Sequence, residues 1–423
     1  MRKIPGPILI FLLFAHVAGL YGCSNDSQQS ESLSAKTAVK SLRFVESSAS
    51  LPITGQWRHG LGFYDINRDG NLDILAPPPR DASKPDRRPY VWLGNGKGEW
   101  VAAPPRVPSN TNIPYDYGDI AAGDFNGDHI PDMALAMHTR GLWGLKGDGS
   151  GTYTGFQEGL TAYFDSRALV AADFNNDGIQ DIAAVAEADF KSRPGPPGLG
   201  IKVCLGSATG WQCRFVEGPE STNWLFADKI ITGDVNGDGN PDLGIASLQH
   251  RADLIVWLGD GNGGFKPFNN GLPKELHYPS VAFADVNGDG RDDLIASITG
   301  FGKDGVELLK VFLSRKNGLE DRSQGLPEDQ VFTAVGAGDL DGDGVPEIVS
   351  STPTGQISVF CLKDREWKKA TISGLSDAHT GEIFNIYCVD VNKDGLDDIV
   401  FNHYSENVGG GIRVFLTVPQ HNQ

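Results

Sequence analysis

Short apolar runs, separated by breaks rich in Gly, Asn and Asp, recur from about residue 41 to the end of the chain. Their lengths suit strands and are too short for helices. The unit is clearest around residue 280. The run Ser280–Ala284 precedes an acidic break, and Leu294–Ser297 follows it. Elsewhere a third run ends on Leu-Gly, as in Leu254–Gly259, and a fourth opens on an aromatic, as in Gly264–Phe265, and closes on Gly271–Leu272. Four short strands per unit of roughly 50 residues is the content of a propeller blade. A linear solenoid is the main competitor, with fewer strands per repeat.

The acidic break is one nine-residue string that recurs seven times. It starts at Asp65, Asp124, Asp173, Asp234, Asp285, Asp339 and Asp390, with spacings of 59, 49, 61, 51, 54 and 51 residues. No interval leaves room for a second domain, so an all-β, seven-bladed propeller is expected over residues 41–423. The seventh unit supplies strands near Asn385–Asp390, Asp398–Phe401 and Gly411–Val418 and then the chain stops. An isolated strand-like stretch, Ser41–Leu51, precedes the first unit. Laid beside the last strand, it completes blade seven and removes two open sheet edges.

The string itself is rich in hard oxygen. Position one is Asp65, Asp124, Asp173, Asp234, Asp285, Asp339 and Asp390. Position three is Asn67, Asn126, Asn175, Asn236, Asn287, Asp341 and Asn392. Position five is Asp69, Asp128, Asp177, Asp238, Asp289, Asp343 and Asp394. Position nine is Asp73, Asp132, Asp181, Asp242, Asp293, Glu347 and Asp398. Position seven offers a backbone carbonyl, from Asn71, Ile130, Ile179, Asn240, Arg291, Val345 and Leu396. Calcium takes roughly six to eight such oxygens, so up to seven Ca²⁺ sites are expected. An EF-hand does not fit: position twelve is Ala76 or Ala296 rather than Glu, and the flanks are strands. Metal-free Asx turns are the alternative. The second copy has His129 at position six where the others have Gly, so its site is expected to be the weakest.

Charge and the chain's start add to this picture. The net charge is −18, which argues against nucleic acid as a partner. The ligand positions hold 22 of the carboxylates, so seven Ca²⁺ would offset most of it. Arg2 and Lys3 precede an apolar run, Ile8–Leu20, that is short for a membrane span. The string Leu20-Tyr21-Gly22-Cys23 resembles a bacterial lipobox, with Tyr21 bulkier than usual. It implies a signal peptide over 1–22, lipidation of Cys23 and a flexible tether over 23–40. Such a protein would be an exported monomer, lipid-anchored in the cell envelope. Ser24 is compatible with the outer membrane. Cys204 and Cys213 flank a turn-like stretch and are placed to bridge; Cys361 and Cys388 are left open as a pair or as thiols.

With the seven strings in hand, the chain resembles the FG-GAP/VCBS repeat family, which includes the integrin α headpiece. The resemblance covers nearly all of Ser41 to Pro419. It implies the propeller fold and calcium in the matching loops, and says little of activity. It also implies ligands on the face opposite the acidic loops. Six histidines fall in segments assigned to that face: His59, His138, His250, His277, His379 and His403. Arg140, Arg251, Tyr278 and Tyr404 adjoin them, and Tyr115, Tyr117, Tyr163, Arg167 and Trp224 join the same loops. Two insertions, Pro77–Pro89 and Glu187–Gly200, are read as rim loops there. A binding or adhesion role toward a glycan or protein is expected, by aromatic stacking and by Arg or His contacts. The alternatives are a polysaccharide lyase on an acidic glycan, with His277 and His403 as its candidate groups, and a purely structural scaffold. No Ser-His-Asp, Walker or dinucleotide pattern stands in the required context.

Overall fold

The computed structural model describes residues 41–419, apart from 84–87, 109–110, 112, 161–163, 187–199, 218–226, 247–254, 275, 301–306, 376–380 and 408. The leader, Cys23, the tether, Tyr163, Trp224, His250, Arg251, His379 and nearly all of the Glu187–Gly200 insertion lie outside the described residues.

Six four-stranded antiparallel sheets follow one another along the chain, each with its strands in sequence order, and a seventh sheet joins strands from both ends of the chain. Blade 1 runs from Gly62–Tyr64 to Trp100–Ala102, blade 2 from Gly118–Gly123 to Tyr153–Gly155, and blade 3 from Ser166–Ala172 to Gly210–Phe215. Blade 4 spans Lys229–Gly233 to Phe265–Pro267, blade 5 Leu276–Ala284 to Gly318–Asp321, and blade 6 Ala334–Gly338 to Glu366–Lys369. Blade 7 holds Glu382–Val389, Asp398–Ser405 and Gly409–Val418. Its fourth strand is Ser41–Glu46, antiparallel to Gly409–Val418 with Phe44 opposite Thr417. The ring closes as expected from the sequence. A short strand from the end of blade 6, Thr371–Ser373, also pairs in parallel with Ser41–Arg43.

The core is a set of layers between blades. Among the described residues there are seven apolar clusters, and each joins two neighbouring blades. The layer between blades 7 and 1 holds Trp57, Trp92 and Trp100 with Val400 and Val414. The layer between blades 6 and 7 holds the N-terminal Leu42 and Phe44. A blade has two apolar faces and no core of its own, so it is stable only when flanked. Position two of the acidic string feeds these layers: Phe125, Phe174, Val235, Val286, Leu340 and Val391 are fully buried.

Cys204 and Cys213 face each other in register on neighbouring strands of blade 3 and form a disulfide, with Cα atoms 3.9 Å apart. Cys361 and Cys388 are thiols.

Candidate metal loops and an axial cationic funnel

All seven acidic strings connect the first strand of a blade to its second, so they share one face of the ring. Each loop turns on two left-handed residues, at positions four and six. Position four is Arg68, Gly127, Asn176, Gly237, Gly288, Gly342 or Lys393, with φ between 58° and 75°. Position six is Gly in six loops, and His129 holds the same region at φ 63°. These turns aim backbone N–H groups at position one. In blade 4, Asp234 accepts from Gly237 N and Asp238 N through Oδ1, and from Gly239 N through Oδ2.

Position nine begins the second strand and is wholly buried. Asp73, Asp132, Asp181, Asp242, Asp293 and Asp398 are 0% exposed and Glu347 is 1%. One oxygen accepts the position-two amide, as Asp242 Oδ2 does from Val235 N at 2.8 Å. In six blades the other oxygen accepts an amide of the third strand, as Asp242 Oδ1 does from Gly259 N at 2.7 Å. The same clasp reaches Gly94, Gly147, Gly206, Ser314 and Thr417. Burial drives these carboxyls up, against those hydrogen bonds: to about 6 for Asp73 and Asp132, and to about 7 for Asp181, Asp242, Asp293 and Asp398. The donor set suits a hard cation. In the sixth loop, carboxylate oxygens of Asp339, Asp341 and Glu347 lie within 4.8 Å of one another.

The starts of the first strands and the ends of the second lie on the opposite face. Around the axis there is a cavity of ≈ 520 Å³. Its charged lining is Arg58 and Arg80 of blade 1, Arg167 of blade 3, Asp228 and Lys229 of blade 4, and Glu382 of blade 7. Among the described residues, four cations therefore face two carboxylates, in a chain of net charge −18. One carboxylate, Asp228, is ion-paired: its Oδ1 accepts from Arg167 Nε at 2.8 Å and Nη2 at 2.5 Å. Deeper in the channel is a second cavity of ≈ 310 Å³, lined by Asp119, Lys229 and Tyr387 among others. Burial lowers Lys229 to about 8, opposed by Asp119. Burial raises Asp119 to about 7, opposed by hydrogen bonds from Ile120 N and Leu169 N and by Lys229.

Two of the six expected histidines meet at this mouth. His59, Tyr117 and His138 form one column, with ring centroids 4.8 and 4.6 Å apart and planes within 15°. Arg80 lies over Tyr117 at 5.3 Å. The guanidinium of Arg58 lies over Tyr404 at 4.6 Å and Phe384 at 5.2 Å. Burial, then Arg167 and Arg80, lower His59 to about 3, so its imidazole is neutral at any ordinary pH. Its Nε2 is shielded and without a hydrogen-bond partner. Arg140 stands at the outer edge, 3.8 Å from Asp116 and half-exposed.

The remaining described histidines go elsewhere. The first strand of blade 5 and the second strand of blade 7 run further than their apolar patterns suggest. They take in His277 and His403, which are only 6% and 4% exposed. Tyr278 is 0% exposed, and its hydroxyl donates to Pro273 O. These three are strand residues inside the packing, in place of the loop positions expected for them. Sequence reasoning did not single out Arg80, Asp119 or Lys229. Arg80 carried a faint signal as part of a basic insertion; the other two carried none.

A family model described as an FG-GAP-like repeat matches three segments, residues 124–184, 234–296 and 339–401. No curated protein matches. Among solved structures, an ancestral GH74 enzyme aligns at TM-score 0.50 and 13% identity, over 86% of this chain and 47% of that one. This chain thus spans about half the length of that structure, and at that identity the likeness concerns the fold alone. Each matched segment begins at the acidic string of blade 2, 4 or 6, takes in the last three strands of that blade and runs into the first two strands of the next. Blade 1 and the strands outside the matches repeat the same loop and strand order, and the chain is an FG-GAP repeat β-propeller of seven blades.

Proposed function

We propose that this protein binds an anionic glycan at the axial funnel. The observation that carries the reading is the surplus of guanidinium and ammonium groups at the mouth of an otherwise acidic ring. The aromatic column favours charge over stacking as the means of recognition. Tyr117 is stacked by His59 and His138, overlain by Arg80 and only 8% exposed, so its ring cannot receive a sugar. Arg58, Arg80 and Lys229 are left as the recognition groups, and Arg167 joins them only by exchanging Asp228 for the ligand; arginine pairs with carboxylate in a two-pronged fashion. The rest of the proposal is a calcium-loaded scaffold, exported to the cell envelope and lipid-anchored through Cys23. Calcium would be held by positions one, three, five and nine and would supply charge neutralisation.

The test is titration calorimetry with an oligosaccharide of uronic acids and with its neutral counterpart. Binding of the acidic glycan alone is expected, weakened at least tenfold in Arg80→Ala and Arg167→Ala and reduced by salt. Equal binding of the neutral glycan, or indifference to both substitutions, would refute the reading.

A further inference from the structure

Blade 2 differs from the other six at one register of its third strand. Lys146 follows Leu145, the residue paired with Met133 at position ten of the string. The residues at that register in the other blades are Leu93, Leu205, Leu258, Leu313, Cys361 and Leu416. Lys146 bends into the acidic loop. Its Nζ lies 2.7 Å from Asp128 Oδ2 and donates to Asn126 Oδ1 at 3.2 Å. Those are the oxygens of positions five and three, which the other loops would turn on a cation.

We infer that the ammonium of Lys146 takes the place of the metal ion in blade 2, so that the ring binds six ions and not seven. This rests on the calcium reading of the other loops. The loop's other departures agree. Asn126 turns its amide onto Asp132 Oδ2, as Asn287 of blade 5 does onto Asp293 Oδ2, whereas Asn67, Asn175, Asn236 and Asn392 donate to the position-five carboxylate. His129, at the position that is Gly elsewhere, places Nδ1 3.3 Å from Asp124 Oδ2. Blade 5 is the nearest comparison, and it stops short. Arg315 Nη1 lies 3.3 Å from Asp289 of that loop, but its Nε is engaged by Glu320. Its partners are Asp289, Glu320 and the Ser314 carbonyl, with no hydrogen bond to Asn287 among the described residues.

A tethered cation costs no binding entropy and cannot be chelated, so blade 2 should be indifferent to calcium. Native mass spectrometry from millimolar calcium counts the ions. Six in the wild type is expected; seven would overturn the inference, and this count requires no variant to fold. In chelator, Lys146→Leu should lower the melting temperature by ~2 °C or more relative to Lys310→Leu, which breaks an ordinary surface pair with Asp321. A variant as stable as that control overturns the inference. Lys146→Leu/His129→Gly restores the pattern of the other loops and should take up a seventh ion; failure to do so while the other six load also counts against it. If no ion binds in any form, the calcium reading fails by itself, and the chelator comparison still decides the role of the lysine.

Discussion

Replacing Asp242 with Ala removes a carboxylate that is 0% exposed and holds two backbone amides, Val235 N at 2.8 Å and Gly259 N at 2.7 Å. Both amides would lose the acceptor that holds them in the buried interior. An orphaned buried donor costs about 1–3 kcal/mol, so the pair costs roughly 2–6 kcal/mol. The loss arises from the clasp between loop and third strand and is independent of any ion. Chemical denaturation in chelator should therefore show a loss of that size. If calcium also uses this carboxylate, the loss should be larger again in calcium, because only the wild type then gains from binding. Asp238→Ala is the control. Its side chain accepts from Asn240 N within an exposed loop, so in chelator it should cost no more than about 1 kcal/mol. A loss below 1 kcal/mol for Asp242→Ala in chelator would refute the claim that position nine is a structural clasp.

Four further outcomes are expected. Gly290→Ala should cost about 1–2 kcal/mol by denaturation although nothing lies within 4 Å of the added methyl, because its φ of +80° is unfavourable for an L side chain. Reduction of Cys204–Cys213, or its replacement by Ser, should cost about 2–3 kcal/mol and lower the melting temperature. Phe44→Ala, in the layer that closes the ring, should cost about 3–5 kcal/mol and lower the melting of the whole ring in one transition. The fourth concerns pH. Asp119 is raised to about 7, so the folded state holds a proton that the unfolded chain has lost, and stability falls as pH rises from about 4 to 7. Lys229 is lowered to about 8, so between 8 and its ordinary range the unfolded chain holds the extra proton and stability rises again. The six position-nine carboxyls, raised to about 6 or 7, add to the same limb, so Asp119→Asn should make it shallower by one group's share in melts recorded across pH; an unchanged slope would contradict its burial as a cause.

The ring was legible because its evidence is periodic. Seven strings at blade-sized spacings, and a spare strand at Ser41, need no knowledge of side-chain contacts. The disulfide was legible for the same local reason: Cys204 and Cys213 flank one turn. The clasp at position nine was not. Asp73 or Asp242 reads as a loop ligand, since nothing in the string marks it as the first buried residue of a strand. Strand ends were the weakest point. His277 and His403 stand just beyond the clear apolar runs, and register shifts nearby, at His277/Ser280 and Ile383/Asn385, extend both hairpins over them. The funnel was only partly visible because its cations come from blades 1, 3 and 4. Which side chain of a strand end turns toward the axis is set by closure of the whole ring.

The two charged regions lie at opposite ends of the first strands, and their separation has a consequence. A strand of six residues, such as Gly118–Gly123, spans ~20 Å. The Debye length at physiological salt is ~8 Å, so the acidic loops are more than two such lengths from the funnel mouth. Their field is largely screened there, and the arginines act on a ligand through local charge. Calcium should then govern how stable the ring is and leave ligand affinity unchanged. Chelation at a temperature well below melting should lower the melting point but preserve the dissociation constant for an acidic glycan within about twofold. A tenfold change in affinity on chelation, with the fold intact by circular dichroism, would mean that the loops and the funnel are coupled through the blades and that scaffold and site are not separate.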